Sequence, residues 1–358
     1  MKRTRLVGAL AAVTAVAAIA LLVAGPGPIT DTDTAEELLF PDLLNAINDV
    51  ARLTTVHEGR ELGVERIDGR WVVPQRAGYP ASEASVRKII LAMADIRKLE
   101  AMTSKPERYE KLGLEPPDDE DAYSVQIELY DGVGSSLGAV VLGYRDPSKV
   151  DENSNEIYVR RLDDPQAWLV EADVPHSTKP GDLLDIVVSG LDLRRVREVK
   201  TRHADGHEVI IQKQAPGDAD FVLENKPSDT EVIYDWAIND IGRAFTGLEL
   251  TDVRPLDEID FDTLSFTLEL QTFDGLALRM ESVVTATGHY AKLAAAVVEL
   301  APSGTTHEAL HSTNAVRQEV DSRNAQWGGW AYRFTDYRYG TFTTPMNELV
   351  QPADVTSQ

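Results

Sequence analysis

From about residue 50 onward, apolar and polar positions alternate in short blocks, and the same order of blocks occurs twice. In the first pass Leu62, Val64 and Ile67 alternate as a strand, and Asp68-Gly69 makes a tight turn into Trp71-Val72-Val73. Pro80-Ala81-Ser82-Glu83 has the composition of a helix start. Val86, Ile89, Ile90, Met93, Ile96 and Leu99 follow at helical spacing. After the compact turn Tyr109 to Pro117, Val125, Ile127 and Leu129 alternate up to Asp131-Gly132, and strands follow at 140–143, 157–159 and 168–170.

In the second pass 196–201 and 209–211 are strands around the hairpin tip His203 to His207, and Phe221-Val222-Leu223 takes the place of Trp71-Val72-Val73. Ile233, Trp236, Ile238, Ile241, Phe245 and Leu248 form the second helix-like stretch. Leu264, Phe266, Leu268 and Leu270 alternate up to Phe273-Asp274-Gly275, and Leu276, Leu278 and Met280 answer beyond the turn. Leu183-Leu184-Asp185-Ile186 has its counterpart in Met346-Asn-Glu-Leu349-Val350. The pattern predicts an α+β fold, in which duplicated modules of antiparallel sheet each carry a covering helix. The expected division is 1–30 as an N-terminal segment, 31–190 as the first module and 191–358 as the second.

The N-terminal segment adds a topology. Lys2, Arg3 and Arg5 precede an uncharged run over residues 6–24. At a rise of about 1.5 Å per residue, such a run spans about 28 Å as a helix, near the hydrocarbon thickness of a bilayer. A cleavable signal peptide has a shorter apolar core and a small-residue site. Ala18 and Ala20 form such a site, but cutting there leaves Leu21, Leu22 and Val23 on the mature chain. The pattern favours an uncleaved signal anchor in the lipid bilayer through residues 6–24, over cleavage or a buried soluble helix. The leading cations orient the N-terminus to the cytoplasm and the bulk of the chain to the periplasm.

The 358-residue chain has no cysteine and a formal net charge of −24. Without cysteine there are no disulfides, thiolate zinc sites, iron–sulfur clusters or cysteine nucleophiles. Setting aside the three leading cations leaves 32 basic against 59 acidic residues, a net of −27 for the exported part. That charge repels phosphate backbones, so no nucleic-acid partner is expected. Solubility accounts for such a surface; a binding module for a cationic ligand is the specific alternative.

Asp68-Gly-Arg-Trp71, Pro80-Ala-Ser82 with its apolar helix, and Tyr109-Glu-Lys-Leu-Gly-Leu-Glu-Pro116 together resemble domain of unknown function 4340. The third of these is similar to a family turn of the form YGL-x-x-P, with Glu-Lys inserted before Leu112. Trp330-Ala-Tyr332 and Leu349-Val350 resemble the family's terminal segment, so the likeness covers most of 56–350. The resemblance implies a membrane-anchored exported protein. It would be an auxiliary subunit beside a gliding-motility-type ABC transporter, with a larger exported partner. No catalytic residues are known for the family, and none are carried over.

The sharpest chemical motif is His307-Glu308-Ala-Leu-His311, which fits H-E-x-x-H. On a helix the two histidines share a face and can grip zinc while the glutamate activates the bound water. Pro302-Ser-Gly-Thr-Thr306 before it and Ser312-Thr313-Asn314 after it are poor helix formers, and a third ligand would have to be Glu319, Asp321, Glu348 or a residue of the other module. A solvated helical linker leading to 315–321 is the favoured reading; a membrane-tethered zinc metallopeptidase using His307, Glu308 and His311 is the alternative. His203 and His207 flank a turn, 118–121 is an acidic loop, and 146–155 is polar loop. No P-loop, G-x-S-x-G or G-x-G-x-x-G occurs, so any ATP-hydrolysing step belongs to another chain. Trp327, Trp330, Tyr332, Tyr337 and Tyr339 are expected to pack the last strand, with Arg333 and Arg338 at the rim. No cofactor is expected, and the function expected is a non-catalytic membrane-anchored accessory or scaffold subunit of an ABC-type transport complex.

Overall fold

The computed structural model describes residues 37–145, 155–176, 179–299 and 311–353. The first sheet is built from β1 (Val50–His57), β2 (Arg60–Ile67), β3 (Arg70–Val73), β4 (Tyr79–Pro80), β5 (Arg97–Ala101), β6 (Val125–Asp131), β7 (Ser136–Arg145), β8 (Glu156–Arg161) and β9 (Ala167–Glu171). Then come β10 (Val187–Ser189), β11 (Val196–His203), β12 (Glu208–Gln212), β13 (Val222–Leu223), β14 (Thr230–Val232), β15 (Leu248–Glu249) and β16 (Asp252–Pro255). The chain continues through β17 (Phe266–Thr272), β18 (Leu276–Thr285), β19 (Gly288–Val297), β20 (Trp330–Arg333) and β21 (Val350–Pro352). The helices are α1 (Leu43–Ala46), α2 (Glu83–Ala94), α3 (Asp235–Gly242), α4 (Thr313–Trp327), α5 (Asp336–Phe342) and α6 (Met346–Leu349).

The strands form two large antiparallel sheets, ordered β4-β3-β2-β1-β6-β7-β8-β9-β5 and β13-β12-β11-β17-β18-β19-β20-β16. Apart from β4, the two orders match strand for strand. Alternation explains why: Val125, Ile127 and Leu129 on β6, and Phe266, Leu268 and Leu270 on β17, all face the core. Leu53 sits opposite Leu129 in the first sheet, and Val199 opposite Leu270 in the second. The Asp68-Gly69 turn has both residues at positive φ, as a two-residue hairpin requires.

Helix α2 starts where Ser82 accepts a hydrogen bond from the Ser85 amide at 3.2 Å. It stops at Ala94, short of the predicted end. Ile96 is buried beyond it, and Leu99 lies half exposed on β5 because that segment pairs with β9 instead. The second helix-like stretch contracts to α3: Phe245 and Leu248 are core residues outside the helix, and Trp236 is 62% exposed rather than on the buried face. The segment 315–321, to which the expected linker leads, lies in α4, capped by Ser312; most of that linker falls outside the described residues. Apolar periodicity does not mark the extent of this helix, because only Val316 and Trp327 are buried along it. Tertiary bonds hold it. The Asn324 amide bonds both the N–H (2.8 Å) and the C=O (2.9 Å) of Ala295 on β19, and the Trp327 indole donates to Val188 O. The sequence pattern does not mark strand β19, since its alanine-rich run lacks β-branched residues until its end.

A strap at 183–189 joins the two sheets. Ser82 N donates to Leu183 O, Asp185 N donates to Pro80 O, and β10 pairs with β15. Alongside it Tyr79 meets Trp330 and Tyr332 edge-on, at 5.1 and 6.2 Å between ring centres, and Arg76 pairs with Asp252. Burial, added to by the nearby Asp185 and partly offset by Tyr332, pushes the Tyr79 hydroxyl up to about 12. Among the described residues no helix is long and apolar enough to cross a membrane; the uncharged run at 6–24 lies outside them.

Removing Asn324 strands two main-chain groups on β19. Asn324→Ala is expected to lower unfolding stability by about 1–3 kcal/mol in urea titration, against less than about 0.5 kcal/mol for exposed Gln318→Ala on the same helix.

Candidate partner-binding cleft

The turn at 106–117 is two successive 3₁₀ turns, Pro106–Arg108 and Glu110–Leu112, closed by Gly113 at φ +67°. Tyr109 turns inward, and its hydroxyl donates to Pro165 O at 2.5 Å. Leu114 is fully buried with Val141 and Ala167 beneath it. The turn presses so closely on β7 that a Cβ at Gly143 would stand 2.2 Å from Leu112 O, and one at Gly113 would meet the Tyr144 ring and amide at 3.0 Å. Two glycines facing each other let backbone approach backbone here.

An open cleft of about 870 Å³ forms where this turn meets β7 and β8. Tyr109, Tyr123, Tyr144 and Pro116 contribute its apolar wall, and Arg160 lies 5.1 Å over the Tyr109 ring. Tyr123 and Tyr144 lean together at 4.3 Å between ring centres, and both reach solvent. Glu115 fixes the far side: its Oε1 accepts from Tyr123 N at 2.6 Å, and its carbonyl accepts from the Ser124 hydroxyl at 2.6 Å. Its Oε2 and the Arg160 Nε are buried without a hydrogen-bond partner. Beyond Tyr123 and Tyr144 a second depression of about 720 Å³ continues past His57, Arg145 and His176.

The second polar assembly is a buried ion network. Arg195 donates to both oxygens of Asp274 (2.8 and 3.3 Å) and to both oxygens of Glu319 (3.1 and 2.8 Å). Arg323 also grips Glu319 and donates to Ser189 Oγ, while Thr272 Oγ1 donates to Asp274. Burial raises both carboxyls, but their hydrogen bonds outweigh it. Thr272, Arg195 and His311 hold Asp274 below the usual carboxylate range, and Arg195 with Arg323 does the same for Glu319. Asp274, expected as an ordinary hairpin turn residue, is thus the anchor of this network. Its counterpart Asp131 is a turn residue, accepting from the amides of Val133 and Ser135.

Of the H-E-x-x-H motif, His307 and Glu308 lie outside the described residues. His311 is described, and its Nδ1 stands 3.1 Å from Asp274 Oδ2. That contact leaves Nε2 open, the orientation in which a carboxylate-held histidine can ligate a metal. Glu319 is engaged by two arginines, while Asp321 and Glu348 are exposed. His203 and His207 face each other across the hairpin through their main chains, with Asp205 bound to His207. Among the described residues no three His, Asp or Glu side chains converge as a metal site. Trp327, Trp330, Tyr332 and Tyr339 pack as expected, whereas Tyr337 is 68% exposed. Sequence reading saw the 109–117 turn and the acidic loop 118–121, but nothing in it placed them against Gly143 and Tyr144.

The family described as Domain of unknown function (DUF4340) matches residues 71–264, a stretch that contains the whole of the 106–123 turn and cleft wall. No curated protein and no solved structure matches the chain.

Gly143→Ala is expected to push the turn off β7 and destabilise the fold by about 1–3 kcal/mol, with Tyr123 and Tyr144 becoming more accessible to fluorescence quenchers. The ion network sets an acid limit. Unfolded Asp and Glu take protons near about 3.9 and 4.3, above the depressed folded values. The stability they contribute is complete above the unfolded values and lost as pH falls through the folded ones. The urea midpoint should therefore drop below about pH 4, and Glu319→Gln should flatten that drop; an unchanged pH profile in Glu319→Gln refutes the assignment.

Proposed function

The chain belongs to the family described as Domain of unknown function (DUF4340), and from that premise we propose that it is a non-catalytic, membrane-anchored accessory or scaffold subunit of an ABC-type, gliding-motility-like transport complex. The observation that carries this reading is the use made of the family-like turn Tyr109 to Pro116. It builds an open cleft with an aromatic wall, a shape suited to seating a partner.

Three further features support it. Lys2, Arg3 and Arg5 with the uncharged 6–24 run suit an inner-membrane anchor with the N-terminus in the cytoplasm and the body in the periplasm. The first described residues are bonded onto the edge of β5, with Leu39 N donating to Ile96 O and Lys98 N to Glu37 O, so a tether leaving residue 37 pulls directly on the sheet. The matching strand orders suit a duplicated module, with 31–190 and 191–358 as its copies. In this role the anchor holds the body at the bilayer and the cleft engages an exported partner.

One observation keeps a second reading, the zinc metallopeptidase of His307, Glu308 and His311: the Asp274 contact orients His311 with Nε2 open. Metal analysis separates the two. Stoichiometric zinc that is lost in His307→Ala supports the peptidase, and its absence at saturating zinc refutes it. For the accessory role, full-length chain purified from detergent-solubilised membranes should bring down an ABC ATPase or permease and an exported partner; recovery of neither overturns the proposal.

A further inference from the structure

We infer that the cleft beside Tyr123 and Tyr144 receives an extended, lysine- or arginine-bearing segment of a protein partner, an inference that rests on the accessory reading above. Shape comes first. The two depressions share Asp121, Ala122, Tyr123 and Tyr144, so together they make a trough that passes the aromatic pair on both sides. A trough open along its length suits a chain better than a compact ligand, which is held in a closed pocket.

Charge gives the sign. Glu110, Glu115, Asp119, Asp121, Asp163 and Asp164 line the larger depression against one cation, Arg160, which already lies over Tyr109; the smaller adds Glu58 and Asp182 against Arg145 and Lys179, so the acidic excess lies in the larger. Tyr123 is 52% exposed and leans on Tyr144, presenting ring faces beside those carboxylates. A cationic side chain seated there meets both ring quadrupole and carboxylate.

Unused hydrogen-bonding capacity gives the backbone. Glu115 Oε2 wants a donor and Arg160 Nε wants an acceptor, and neither has a partner. Both residues line the larger depression, and a peptide main chain supplies both an N–H and a C=O. A polyamine supplies donors alone. Leaving such groups unpaired is unfavourable in the empty protein, so an occupant that pairs them gains affinity.

The test titrates full-length chain in detergent with fluorescein-labelled hexalysine and follows anisotropy, with hexaglutamate and spermine as competitors. Saturable hexalysine binding is expected, weakened by salt and weakened about tenfold in both Tyr123→Ala and the pair Asp119→Asn with Asp121→Asn. The remote pair Asp257→Asn with Asp262→Asn should change it less than about twofold, which separates the cleft from the general attraction of a −24 chain. Equal weakening by the remote pair, or no saturable binding by the unmodified chain, overturns the assignment of the cleft. Competition by spermine as strong as by unlabelled hexalysine overturns the peptide. Either failure, with transporter components still recovered on the full chain, leaves the accessory role standing.

Discussion

A sheet edge exposes a row of main-chain N–H and C=O groups that must be paired, covered or left to water, and this constraint decides where everything outside the two sheets goes. At β5 the edge is taken by residues 37–39. At β4 it is taken by the strap at 183–185, which continues into β10 and pairs there with β15, the short strand just before β16 of the second sheet. Along β19, which meets β20 only at Tyr290 and Ala291, the Asn324 amide completes the main chain at Ala295. Three different devices do the same job: residues 37–39, the strap at 183–185, and a helix laid across the strand.

Buried charge imposes the second constraint. Arg195 sits with its side chain almost wholly out of water, where an unpaired guanidinium would be strongly destabilising. Asp274 and Glu319 answer it from the β17–β18 turn and from α4, so one cation fixes the turn and the helix relative to each other. The first sheet has no such requirement at the matching turn, where Asp131 spends its oxygen on local amides. The same strand order thus carries different chemistry at corresponding positions.

The cleft depends on close approach of the 106–117 turn to β7, which Gly113 and Gly143 make possible and Tyr109 locks through Pro165. Its features follow from that contact. Tyr123 and Tyr144 come together because the turn leads back into β6 next to β7, and the acidic run at 118–121 is carried to the rim by the same path. The wall is apolar and the rim is acidic.

The alternating blocks by themselves determined several strands of each sheet (β2, β6, β11 and β17 among them), the Asp68-Gly69 hairpin, the Ser82 helix start and the repetition of element order. Each of these is set by neighbours within a few residues, which is the range over which periodicity and turn chemistry act. The ends of α2 and α3, the existence of α4 and β19, and the burial of Asp274 were decided by tertiary structure. In each, the deciding partner lies far along the chain: β9 for Leu99, Ala295 for Asn324, Arg195 for Asp274. The site divides the same way. Tyr109 to Pro116 is legible as a turn from its own composition, but that turn becomes a cleft only because Gly143, thirty residues on, leaves room for Leu112 to touch it.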